Sequence, residues 1–246
     1  MITSKDNSKY KLWLKLSQKK HRLAEQLFLV EGEHLVNEAA TAGVIDTLLV
    51  CEGVAFEADA DAAITYLARP LFEKLASTVT TAGVMAVCRM WESHMKAHNR
   101  LLLVDDVQDP GNLGTLIRSA LAFGFDGVVL SEDTVDLYND KVVRATQGAL
   151  FYLPIHRTNL TTYITQLQQA GTTVYATALT DDAKPMAEIP KQTSLAFVVG
   201  NEGAGVNKDL IAVCDGSVII AMTEAVESLN VGVAGSILMH HFNDIG

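Results

Sequence analysis

The chain has 246 residues and a mass of 26.6 kDa, with 49% hydrophobic and 20% charged residues. That composition excludes wholesale disorder and predicts one large domain or two small ones. Three cysteines, Cys51, Cys88 and Cys214, lie far apart without CxxC spacing, which excludes a disulfide framework and a cysteine zinc site. The net charge of −10 is uneven: residues 1–22 hold seven basic residues against Asp6, a local +6, so the remaining chain carries −16. A basic arm beside an acidic body is the expectation, with Lys9, Lys15, Lys19, Lys20 and Arg22 as candidate contacts to nucleic-acid phosphates; a solvated helical face explains the same charges equally well.

Taken in chain order, the arm reads as helix, with Leu12, Leu16, Leu23 and Leu27 on one face and lysines on the other. A short strand over 27–30 follows, then a helix whose face is Leu35, Val36 and Ala39 and whose stop is Gly43. Strands are expected over 44–51, 62–67 and 83–88, with a helix opening at Pro70 and running to about 77. This makes a small α/β unit over residues 1–92. Residues 93–100 are a polar linker containing His94 and His98, which lack further ligands nearby in sequence, so no metal is expected. No apolar stretch approaches the roughly 20 residues needed to span a bilayer, and the start lacks the apolar core of a signal peptide, so a soluble, cytoplasmic protein is expected.

From Leu101 the pattern changes to continuous apolar runs, as in strands buried on both faces: 101–104, 127–130, 173–176, 195–199 and 217–220. Helical segments at 112–123, 139–149, 159–170, 206–213 and 229–242 separate them. Strand–helix alternation of this kind predicts a parallel sheet with helices on both faces over residues 101–246.

Ligands of such sheets bind beyond the carboxyl ends of the strands, and three loops there have unusual composition. The first, DDVQDPGNLGTLIRSALAFG (105–124), has a turn at Pro110 and Gly111, Asn112 as a helix cap, and Arg118 less than two turns further on. The second, FVVGNEGAGVNKDL (197–210), carries Gly200, Gly203 and Gly205, which permit positive φ, around Glu202, whose charge disfavours phosphate. It matches neither GxGxxG nor GxxxxGK[ST]. In the third, VIIAMTEAVESLNVGVAGSILMHHF (218–242), Ser228 is a competent cap for a helix whose Gly232, Ala234, Gly235 and Ser236 allow close packing of another backbone, either in a dimer or at a tight crossing within the chain.

Together the segments NLGTLIR (112–118), VVGNEGAG (198–205) and IAMTEAVESLNVGVA (220–234) resemble the three motifs of the SpoU (TrmH-like) family of RNA ribose methyltransferases, within the SPOUT superfamily. KKHRLAEQLFLVEGEHLVNEA (19–39) resembles the opening of the L30e-like RNA-binding domain often joined to them. The resemblance implies an α/β fold, a C-terminal SPOUT domain with a parallel sheet and a deep trefoil knot, preceded by the L30e-like domain. It also implies a homodimer and S-adenosylmethionine as methyl donor, with contacts at Val199, Gly200, Asn201, Gly203, Ile220, Met222 and Leu229. Asn112, Arg118, Glu202, Ser228 and Asn230 map onto the functional polar residues of the motifs. Ala221 stands where the family usually has proline, and Glu224 and Gly232 also depart from its pattern, which bears on cofactor affinity.

The implied reaction is in-line attack of a ribose 2′-oxygen on the donor methyl, with ribosomal RNA as substrate and transfer RNA as the alternative. The resemblance gives Arg118 a general-base role. A guanidinium stays protonated at ordinary pH, so Arg118 is read here as a clamp on phosphate and forming alkoxide, with Ser228 and Asn230 orienting the ribose. A catalytically inactive RNA-binding module is a competing reading, against which these polar residues count. A Rossmann-type dehydrogenase lacks its GxGxxG here.

Overall fold

The computed structural model describes residues 1–56, 62–78, 80–91, 95, 99–223 and 225–243. His94 and His98 lie outside the described residues, as does Glu224. Two compact units result, one of Met1–Glu92 with Asp136–Phe151 and one of Ser93–Val135 with Tyr152–Gly246. The segment Asp136–Phe151 thus groups with the first unit, although the sequence reads as part of the second.

The first unit opens with α1 (Ser8–Lys15), capped by the Asn7 side chain, which accepts from the Tyr10 amide at 3.2 Å. The chain extends at Gln18 and re-enters helix in α2 (Lys19–Glu25). The basic arm is therefore two short helices rather than one amphipathic helix. Tyr10, Trp13 and Leu16 are buried, whereas Leu23 is 51% exposed and Leu27 belongs to the next strand. Lys9, Lys15, Lys19 and Lys20 remain at the surface.

Arg22 corrects the expectation that it contacts RNA. It is 5% exposed; Nη1 donates to the Leu16 carbonyl at 2.7 Å, and Nη2 pairs with the Asp136 carboxylate. A guanidinium committed to these partners braces α1, α2 and the inserted segment and is withdrawn from phosphate.

Four strands, β1 (Leu27–Glu31), β2 (Ile45–Cys51), β3 (Ala63–Leu67) and β4 (Val84–Arg89), form a sheet in the order β1-β4-β2-β3, with only β2 and β3 parallel. Helices α3 (Glu33–Thr41) and α4 (Arg69–Leu75) complete the expected elements. Tyr10, Trp13, Leu49, Phe72, Met85 and Val87 share one apolar core. Within the inserted segment, α6 (Asp140–Ala145, numbered in chain order) stops short of the expected helix 139–149, because Gln147 and Gly148 turn left-handed at φ 50° and 92°. Tyr138 lies 4.6 Å from Phe28 between ring centroids, and Phe151 stacks on Trp91 at 6.0 Å. These aromatic contacts explain why the segment groups with this unit.

The second unit is built on seven parallel strands: β5 (Arg100–Val104), β6 (Gly127–Leu130), β7 (Ile155–Arg157), β8 (Thr173–Thr177), β9 (Lys184–Pro185), β10 (Leu195–Val199) and β11 (Gly216–Ile219). Their order is β7-β6-β5-β10-β8-β11-β9. The five apolar runs become the inner strands; β7 and β9, short and partly exposed, carry no apolar run and form the edges. Every residue of β5, β6 and β10 is buried, as strands covered on both faces require. Around the sheet lie α5 (Pro110–Ala122), α7 (Leu160–Gln169), α8 (Lys208–Val213) and α9 (Val231–His241). Val104 pairs with Val199, so the carboxyl ends of the neighbouring strands β5 and β10 deliver the first two motif loops side by side.

Candidate active site

At the end of β5 the Asp105 amide donates to the Val199 carbonyl at 2.8 Å. The Asp105 carboxylate is buried and accepts from the Asn207 amide at 2.8 Å. Burial pushes its pKa up, only partly opposed by that amide, and the charges of Asp106 and Asp133 push the same way. The chain turns at Asp106, in left-handed backbone at φ 53°. Asp109, rather than Asn112, caps α5, accepting from the Asn112 amide at 2.8 Å. Pro110 has no amide hydrogen and a fixed φ, which suits the first helical position and sets the cap one residue before it. Freed from capping, the Asn112 side chain projects from the first turn.

The second loop closes on itself. Asn201 and Gly205 exchange two backbone hydrogen bonds, at 3.0 and 2.9 Å. A β-carbon on Gly200 would lie 2.2 Å from the Gly205 carbonyl carbon and the Val206 nitrogen. Glycine at 200 is therefore required by the chain itself, and of the three loop glycines only Gly205, at φ 73°, uses positive φ. The Asn201 side chain is spent inside the protein: its oxygen accepts from the amides of Gly203 and Ala204 at 2.9 and 3.0 Å, and its nitrogen donates to the Asp106 carbonyl at 2.9 Å.

Glu202, whose charge is ill-suited to a phosphate loop, turns onto the start of α5. One carboxylate oxygen accepts from the Asp109 amide at 3.0 Å and from Asn112 Nδ2 at 2.9 Å, and the other from the Gln108 amide at 3.1 Å. Partial burial raises its pKa, but the bonds from Asn112, Asp109 and Gln108 outweigh that and hold it below the ordinary glutamate range. The carboxylate itself fills the anion-favouring end of the helix.

In the third loop, Asn230 rather than Ser228 caps α9, accepting from the Val233 amide at 3.2 Å, while Ser228 is exposed. Asn230 Nδ2 donates to Asn112 Oδ1 at 2.8 Å. Asn112 thus gives to Glu202 and accepts from Asn230, and one side chain joins the three motifs. The small residues of α9 meet α5 of the same chain: a β-carbon on Gly235 would lie 2.3 Å from Leu116 Cδ2, and Ser236 bonds Ser119 at 2.7 Å. Arg118 is exposed on α5, with no hydrogen bond or ion pair among the described residues, so its guanidinium is available to a substrate.

The groups proposed for the methyl donor fit it. Added β-carbons at Gly203 and Gly205 meet only open space or the Asn201 oxygen at 3.7 Å, so backbone on that side is approachable. Val199 is buried, Ile220 and Leu229 are half-buried, and Met222 is 43% exposed. Accessible backbone polar groups and apolar side chains are the groups adenine requires, and a net charge of −10 does not oppose a sulfonium cation. Among the described residues there is no group of three side chains able to hold a metal ion, and no helix is long and apolar enough to cross a membrane. Sequence reasoning missed Asp106, Gln108 and Asp109. The Asp-Pro pair at 109–110 was a readable cap signal, whereas nothing local marked Asp106 or Gln108.

Residues 99–240 match the model of the SpoU rRNA Methylase family, and residues 7–86 match the MRM3-like substrate binding domain. The chain is 42% identical over 243 residues, 98% of each chain, to the 23S rRNA (guanosine(2553)-2'-O)-methyltransferase RlmP of Bacillus subtilis. Among solved structures, the AdoMet-bound rRNA methyltransferase of Sinorhizobium meliloti matches with TM-score 0.86 and 28% identity, covering 97% of this chain and 95% of that one. The SpoU methyltransferase AviRb of Streptomyces viridochromogenes with AdoMet matches with TM-score 0.86 and 25% identity, covering 96% and 97%. A seven-stranded parallel sheet, three motif loops joined through Asn112 and these likenesses have one explanation: the chain belongs to the SpoU rRNA methylase family.

Proposed function

We propose that this protein transfers a methyl group from S-adenosylmethionine to a ribose 2′-hydroxyl of 23S ribosomal RNA. The observation that carries the proposal is the Glu202–Asn112–Asn230 chain, which links one polar residue from each of the three motifs, in a sequence 42% identical over nearly its full length to a 23S ribosomal RNA 2′-O-methyltransferase. When bound, the cofactor supplies an electrophilic methyl group. Val199, Gly200, Gly203, Ile220, Met222 and Leu229 hold it, and Asn201 contributes by shaping the loop. Arg118, cationic and without a partner among the described residues, holds the nucleotide phosphate and stabilises charge developing on the 2′-oxygen. Asn112 and Asn230, fixed by each other and by Glu202, present oriented polar groups to the ribose, with Ser228 on the same loop.

RNA is gathered by the exposed Lys9, Lys15, Lys19 and Lys20 of the first unit, in the stretch that matches a substrate binding domain. We also propose a cytoplasmic homodimer whose C-terminal segment forms the trefoil knot; the apolar Leu179, Met222, Val226 and Val233 are exposed in the single chain, which is consistent with a covering partner. Incubation of the purified chain with labelled S-adenosylmethionine and unmethylated 23S transcript should place label on a 2′-O position resistant to alkaline cleavage. Label on a base, on transfer RNA alone, or on no RNA overturns the proposal.

A further inference from the structure

We infer that Asp106 is a positioning residue for methyl transfer, fixing the cofactor loop and the start of α5 relative to each other through its carboxylate and carbonyl. The inference rests on the reading of the site given above.

Asp106 sits where two arms diverge. On one side its carbonyl accepts from Asn201 Nδ2 at 2.9 Å, and its Oδ2 lies 3.3 Å from the same nitrogen. Asn201 in turn organises the amides of Gly203 and Ala204 in the cofactor loop. On the other side Oδ1 accepts from Gln108 Nε2 at 2.6 Å. The backbone amide of Gln108, with that of Asp109, grips Glu202. One residue therefore reaches both the shape of the cofactor loop and the carboxylate that ties that loop to Asn112.

The base of this arrangement is anchored. The Asp106 amide donates to Ser131 Oγ at 3.0 Å, and Gln108 Nε2 also donates to the Asp133 carbonyl at 2.7 Å. The 131–135 loop is itself held by Arg157. Nη1 lies 2.6, 2.9 and 2.7 Å from the carbonyls of Ser131, Glu132 and Thr134, and Nη2 lies 2.8 Å from that of Val135. A carboxylate is the group this corner requires, because two amide nitrogens converge on it and only an acceptor with two oxygens serves both. A carboxamide would turn its own NH2 toward one of them.

Two substitutions separate the carboxylate from the backbone turn. Asp106→Gly keeps left-handed φ free of strain, and Asp106→Asn is tolerated there, while both remove the anion. The full chain is used, with S-adenosylmethionine alone in calorimetry and with unmethylated 23S transcript in single-turnover transfer. Both variants should bind the cofactor roughly tenfold more weakly and transfer roughly tenfold more slowly at saturation, as a displaced site does. Affinity for the transcript and the thermal midpoint should stay at wild-type values. Gln108→Met, at an exposed position, should shift both readouts in the same direction by less.

The rate constant does not depend on the folded fraction. A loss of amplitude alone, with rate constant and cofactor affinity unchanged, would identify a folding defect and overturn the inference. Wild-type affinity and rate constant in either Asp106 variant would overturn it as well. Arg118→Ala run in parallel keeps the readings apart: undiminished transfer there defeats the assignment of the site, whatever Asp106 does.

Discussion

Arg118 and Glu202 are opposite charges put to opposite uses. Arg118 has no hydrogen bond or ion pair among the described residues, and the proposed function assigns its charge to the substrate. Arg118→Ala should leave cofactor affinity within a few-fold, since it makes none of the bonds that shape the cofactor loop. It should slow single-turnover transfer on the order of 10²–10³, the cost of losing a preorganised charge at a developing oxyanion. Arg118→Lys should recover little, because a point charge does not reproduce a planar bidentate contact. Glu202, by contrast, is consumed in holding the loop. Its folded pKa lies below its unfolded value, so the ionised form favours the closed arrangement. That contribution is present in full above the ordinary glutamate range and is lost as pH falls through the lowered value. Calorimetric cofactor affinity should therefore hold from neutral pH down to that range and then drop. Glu202→Gln should begin weaker and lose the step, since an amide faces three donors with only one acceptor oxygen.

At the scale of elements, α5 and α9 approach closely because α9 offers glycine where α5 offers leucine. Gly235→Ala should destabilise the protein by about 1–3 kcal/mol in denaturant unfolding, the usual cost of overpacking. Leu116→Val, which removes the opposing volume, should recover part of that loss, giving a double variant more stable than the sum of the singles. Packing of this kind was half-legible in the sequence. The small residues announced a close approach, but the same pattern serves a partner copy and a neighbouring helix alike. Strands were legible for a simpler reason: inner parallel strands are apolar throughout, so 127–130 and 195–199 fall at the observed bounds, while the edge strands β7 and β9 bury too little to leave a pattern. Within the site, the motif residues were legible by type. Their partners were not, because Asn112 meets residues 90 and 118 positions away, and no local rule marks such a pairing. The same limit made Asn112 and Ser228 look like caps when Asp109 and Asn230 cap the helices.

For the whole molecule, charge placement yields a test of RNA capture. Removing residues 1–22 would strip Tyr10, Trp13 and Leu16 from the core, so substitution is the cleaner probe. Replacing Lys9, Lys15, Lys19 and Lys20 with glutamine should weaken RNA binding and flatten its dependence on salt, the logarithmic slope falling by about 0.7–0.9 for each phosphate no longer neutralised, with cofactor affinity unchanged. An unaltered slope would mean that these lysines only solvate the helices. The proposed dimer is checked by light scattering at micromolar concentration, where a monomer mass would defeat it.

Because residues Asp136–Phe151 complete the first unit, that unit does not exist as an uninterrupted stretch of chain. During synthesis Arg22 waits for Asp136, and Phe28 for Tyr138, until more than a hundred further residues have been added. Domains usually fold as they are made, N-terminal first. Here the first to begin is unable to finish until much of the second has emerged. A ribosome stalled near residue 130 should therefore display an N-terminal unit that proteases cut readily, and one stalled well past residue 151 should display a resistant one. For the same reason the first unit is not a cassette to be exchanged by cutting at the linker: any transplant must carry the distant segment with it.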